Sequence, residues 1–152
     1  KTTGGSLWFL FFYFYITVGA DIMTLNEFKD SLERFPVIAT VHKQTLKKAI
    51  ASPAEILVHM DADLMSIEYD IKAIHESGKC VLVHIDLAQG IAGDKTGLHY
   101  LSNLGVDGIV STRGKLIRQA KEIIAKNLKV TEKEIFLGLC DKEYKVSFYK
   151  YE

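Results

Sequence analysis

The chain has 152 residues, 48% of them hydrophobic and 25% charged. That balance fits one soluble globular domain with an ordinary core and excludes a fibrous or disordered chain. The formal net charge is zero, yet residues 1–112 hold 9 Lys/Arg against 13 Asp/Glu and residues 113–152 hold 10 against 6. An anionic partner is therefore expected at the C-terminal third, against the plainer reading of a solvated helix face.

The N-terminal segment departs from this picture. Residues 7–18 (LWFLFFYFYITV) form an unbroken apolar and aromatic run behind Lys1, followed by the small residues Gly19 and Ala20. This is the outline of a secretory signal peptide, but the run falls short of the ~20 residues a helix needs to span a bilayer. Met23 follows, and Thr24 to Glu27 reads as an N-cap with its acidic partner three residues on. Residues 1–22 are therefore expected to be a leader or upstream extension outside the domain, ahead of a signal peptide and of an anchor, with no membrane partner.

The domain is expected over 23–139. Thr24 to Phe35 is predicted helical and Pro36 ends it; Val37 to Val41 is a short β-branched strand, and Gln44 to Ala51 a short helix. Ile56 to Met60 is a second strand, leading to a helix over Ser66 to Glu76 whose Ile67, Ile71 and Ile74 share one face, with Gly78 as its C-terminal stop. Cys80 to Ile85 is the third strand and Lys95 to Leu104 its helix, stopped by Gly105. Gly108 to Ser111 feeds a helix over Lys115 to Asn127, and Glu134 to Leu139 is a fifth strand. Cys80 and Cys140 fit no metal spacing, so reduced, buried thiols and a cytoplasmic protein are expected.

Five strands alternating with four helices imply a parallel sheet, because parallel neighbours need helical crossovers. An open doubly wound sheet and a (β/α) barrel both satisfy this. Alternation along each strand puts His59 with Asp61, His84 with Asp86, and Ser111 with Arg113, while Val58, Val83, Ile85 and Val110 point away. Thr40 and His42 close the first strand in the same way. If the apolar residues pack on the helices, the polar ones converge on one lumen at the strand C-termini, the barrel layout of a ligand site. Taken singly, each residue has a plainer reading: a strand-end Asp caps the next helix, and a buried His is a hydrogen-bonded core residue.

Three stretches, PVIATV (36–41), VLVHIDLAQGIAGDKTG (81–97) and DGIVSTRGKLIRQAKE (107–122), closely resemble the glycerol-3-phosphate-responsive antiterminators, regulators of glycerol uptake operons. The resemblance runs from about Met23 to Leu137. It implies a TIM-barrel-like fold that senses glycerol 3-phosphate and acts on leader mRNA, letting transcription of glycerol metabolism genes pass a terminator. It implies no catalysis and no cofactor or metal. By resemblance the ligand pocket is lined by Asp63, His84, Asp86, Ser111, Thr112 and Arg113, with Arg113 and the hydroxyls suited to the phosphate.

Departures from the family pattern set further expectations. Ala62 stands where Gly is usual, and His42 where a longer basic segment is expected. Family members continue for about three more strands, and barrel phosphate sites usually follow the seventh and eighth. A truncated barrel of about five strands is therefore expected, from a frameshifted or prematurely ended gene, with residues 140–152 an unaligned Lys- and Tyr-rich tail. Its open edges would be relieved by homo-oligomerisation or by a tail strand in which Tyr144, Val146 and Phe148 alternate with Lys145 and Ser147.

On the helix after the fourth strand, Leu116, Ile117, Ala120, Ile123, Ile124 and Leu128 form an apolar stripe and Lys115, Arg118, Lys121, Lys126 and Lys129 lie outside it. Such a face suits RNA phosphates, although a soluble helix with incidental lysines reads the same way. Two alternatives stand behind the regulator. One is a small barrel enzyme using His84 with Asp86, or His59 with Asp61, as metal ligands or an acid and base pair. The other is an inactive truncated remnant.

Overall fold

The computed structural model describes residues 15–18, 25–35, 37–128, 136–138 and 147–150. Its centre is four adjacent, parallel strands: β2 (Val37–Val41), β3 (Ile56–His59), β4 (Cys80–His84) and β5 (Gly108–Ser111). Helix α1 (Leu25–Arg34) precedes them, α2 (Leu46–Ala51), α3 (Ile67–Glu76) and α4 (Lys95–Asn103) connect them, and α5 (Gly114–Leu128) follows. The strands are short, β-branched and buried on both faces, as strands of a helix-covered parallel sheet must be. Gly78 and Gly105, at φ +76° and +82°, carry the left-handed turns that take α3 and α4 back to the sheet. The alternation is that of a partial parallel α/β barrel-like fold.

Bounds agree closely with the sequence reading. β2 and β5 match residue for residue, while β3 and β4 each stop one residue early because the chain bends into the connecting loop; after β4 it enters a 3-10 turn, Ile85–Leu87. The Thr24 cap, Pro36 and Cys140 lie outside the described residues.

Three further strands extend the sheet to the order β6-β1-β5-β4-β3-β2-β7. β1 (Tyr15–Val18), within the apolar leader, runs antiparallel beside β5. The fifth expected strand is present as β6 (Phe136–Gly138), antiparallel to β1 rather than beside β5. The tail supplies β7 (Ser147–Lys150), parallel to β2. The β2 edge is thus paired within one chain, while the fifth expected strand, as β6, stands at the other end of the sheet.

Register overturns one expectation. Val41, His59, Val83 and Ile109 are lateral partners, and so are His84 and Val110. His59 therefore shares a face with Val83, and His84 with Val110; the two histidines point to opposite sides of the sheet and do not converge on one lumen. Alternation within each strand was read correctly, but a one-residue offset between neighbours inverts the comparison. The His59 side packs with Ile67, Ile71 and Ile74 of α3, Leu98 and Leu101 of α4, and Leu116, Ile117, Ala120 and Ile123 of α5. The other side is closed to water as well: Ile38, Ile56, Val58, Leu82 and Val110 are each at most 1% exposed.

Because Ile74 is fully buried between α3 and the sheet, Ile74→Ala should lower unfolding stability by about 2–5 kcal/mol through lost burial and a residual cavity. Urea denaturation checks this; a change below about 0.5 kcal/mol would contradict the assigned packing.

Candidate functional site

All four parallel strands deliver their C-terminal ends to the same edge of the sheet, and there the polar residues gather. The organising group is Asp86, in the turn after β4. Its carboxylate accepts the Ser111 hydroxyl at 2.9 Å on both oxygens. It also accepts the Thr112 N–H at 2.8 Å, the Thr112 hydroxyl at 3.1 Å, and Arg113 through Nε at 2.8 Å and Nη2 at 2.7 Å. Burial alone would raise the Asp86 pKa, but the bonds from Thr112, Arg113 and Ser111 outweigh it and hold the carboxyl below its ordinary value.

Arg113 is fixed at both ends of its guanidinium, because Nη1 also donates to the Gly93 carbonyl at 3.1 Å. Of its five N–H groups, two have no partner among the described residues, and the side chain is 51% exposed. A Cβ at Gly93 would meet the guanidinium, which would then have to shift from this position. Arg113 sits immediately before α5, whose Leu116 and Ile117 N–H groups return to the Arg113 carbonyl. The site thus combines a half-exposed guanidinium with the start of a 15-residue helix, where first-turn N–H groups and the helix dipole favour an anion.

Of the residues singled out from sequence, Asp86, Ser111, Thr112 and Arg113 form one contact cluster. His84 closes β4 on the opposite face from His59; burial holds its imidazole below the usual value, only partly offset by the Asp86 charge, so it is neutral at pH 7. Asp63 lies one loop away. Its carboxylate caps Met65 N–H at 2.8 Å and lies 3.7 Å from Lys43 Nζ. Its backbone is strapped to the loop after β4 by Leu64 N–H to the Gln89 carbonyl and Gln89 N–H to the Ala62 carbonyl, at 3.0 and 2.7 Å. Asp94 takes the plainer role, capping α4 through Gly97 N–H at 3.0 Å.

Several polar contacts were not singled out from sequence. His59, fully buried, bonds Asp70 of α3 through Nε2 at 2.8 Å; the available signal was a charged residue within the Ile67, Ile71, Ile74 stripe. Asp107 binds His75 Nε2 and Val81 N–H, each at 2.8 Å, at the opposite end of the strands. Cys80 nearby is buried, and burial followed by the Asp107 charge raises its thiol well above the usual value, leaving it unreactive. Among the described residues no three His, Cys, Asp or Glu side chains are grouped to hold a metal.

A carboxyl held below its ordinary value of 3.8 contributes stability above that pH and loses it as acid protonates the folded state. Asp86→Asn should therefore lower the urea midpoint at neutral pH, and its gap to the unsubstituted protein should close as the pH falls from about 5 toward 2. A gap unchanged into acid would contradict the assigned network.

A family model described as glycerol-3-phosphate responsive antiterminator matches residues 37–137, which include β2 to β5 and every residue of the Asp86 cluster. The uncharacterized protein YgcP of Escherichia coli (strain K12) is 28% identical over 92 residues, 59% of this chain and 48% of YgcP. The chain thus spans about half the length of the curated relative it matches, and no solved structure matches it. On the extent of the family match, the chain belongs to the glycerol-3-phosphate responsive antiterminator family.

Proposed function

We propose that this chain carries the ligand-sensing site of a cytoplasmic transcription antiterminator. It binds glycerol 3-phosphate at the ends of β4 and β5 and, through the whole protein, acts on leader mRNA to regulate glycerol uptake and metabolism genes. The carrying observation is Arg113: half exposed, braced by Asp86 and Gly93, and seated before α5 with two N–H groups available. A phosphate monoester takes such donors in charge-assisted bonds, while the helix start adds favourable dipole. Ser111 and Thr112 already give their hydroxyls to Asp86, so their role is to hold the carboxylate that orients Arg113.

RNA contact has slighter support. Lys115 and Arg118 are exposed on α5, on the same helix as the exposed Glu122. The side chains of Lys121 and Lys126, and all of Lys129, lie outside the described residues. If this face meets RNA phosphates, affinity falls steeply with salt.

A ligand that binds only the folded state stabilises it by about 2.7 kcal/mol at 100 times its Kd. Millimolar glycerol 3-phosphate should therefore raise the melting temperature, and Arg113→Ala should abolish the rise. A flat melting temperature across that range would count against the reading.

A further inference from the structure

Asp86 spends both oxygens on Ser111, Thr112 and Arg113, so it has little capacity left to accept hydroxyls from a polyol. That acceptor must be sought elsewhere on the same edge. At the end of β3, Asp61 is 35% exposed and is held by the Lys43 N–H at 3.1 Å. Behind it lies His59, whose Nε2 is bonded to Asp70 while Nδ1, 3.5 Å from Asp61 Oδ1, is buried with no hydrogen-bond partner. His42 Nδ1 stands 3.6 Å from the other oxygen of Asp61. A fully buried imidazole nitrogen aimed at a half-open carboxylate is costly unless something completes it.

We infer that Asp61, held by the Lys43 N–H and lying over the buried His59–Asp70 pair, is the hydroxyl-recognising half of the ligand site and faces the Arg113 half across the end of β4. This rests on the phosphate-ester reading above. β3 and β5 are two strand spacings apart, about 10 Å at ~4.8 Å each. A three-carbon phosphate ester with a hydrogen bond at either end covers that gap. Asp61 accepts the ligand hydroxyls, its carboxylate held in place by the Lys43 N–H.

The test compares glycerol 3-phosphate with n-propyl phosphate, which lacks both hydroxyls, by calorimetric titration of the full chain. The unsubstituted protein should prefer glycerol 3-phosphate by about 10- to 100-fold, the range of one or two hydrogen bonds to a charged acceptor. Asp61→Ala should bring the two ligands to equal affinity with propyl phosphate binding unchanged. A general loss of structure would instead weaken both ligands together. Equal binding of the two phosphates by the unsubstituted protein, or a preference that survives Asp61→Ala, overturns this assignment alone. Binding of neither overturns the phosphate-ester reading with it.

Discussion

The bond network around Asp86 joins parts of the chain that lie far apart in sequence. It ties the turn after β4 to the end of β5 and the start of α5, across a sequence distance of 25 to 27 residues. Through Arg113 it also reaches Gly93, in the loop that leads into α4. A single carboxylate thereby fixes the relative position of two successive β-to-α loops. Losing its charge would remove the ion pair with Arg113 and turn the Ser111 and Thr112 bonds into neutral ones, weaker by roughly a factor of two each.

This arrangement follows from elementary constraints. Parallel strands must return through helices, so every strand C-terminus lies at one edge and every following helix begins there. Backbone donors at the helix starts, short of partners, make that edge electropositive. A carboxylate placed among them is held ionised and can in turn hold a guanidinium outward. Asp107 performs the corresponding structural task at the other edge, where it binds His75 and the Val81 N–H. Its near-complete burial suits packing, whereas the Asp86 and Arg113 pair is partly open to solvent.

Much of this was legible in the sequence, and the residues show why the remainder was not. Val37 to Val41 and Gly108 to Ser111 are bounded by Pro36, Gly108 and the following polar residues, so local chemistry set their ends. The clustering of Asp86 with Ser111, Thr112 and Arg113 was legible because adjacent parallel strands with similar lengths end side by side. The opposed facing of His59 and His84 was not, since it depends on the lateral pairing of His59 with Val83, a property of two strands together. Nor does any local pattern in the aromatic leader announce that Tyr15–Val18 pairs with β5. The saturation of Asp86 likewise arises from side chains far along the chain.

The loops after β4 and β5 are proposed as the ligand site. Hydrogen exchange measured by mass spectrometry, with and without saturating glycerol 3-phosphate, tests it most directly. Ligand binding at these loops should slow exchange in residues 86–94 and 111–117 and leave the N-terminal ends of the strands unchanged. Binding without protection in those two segments, or protection confined to other parts of the chain, would contradict it.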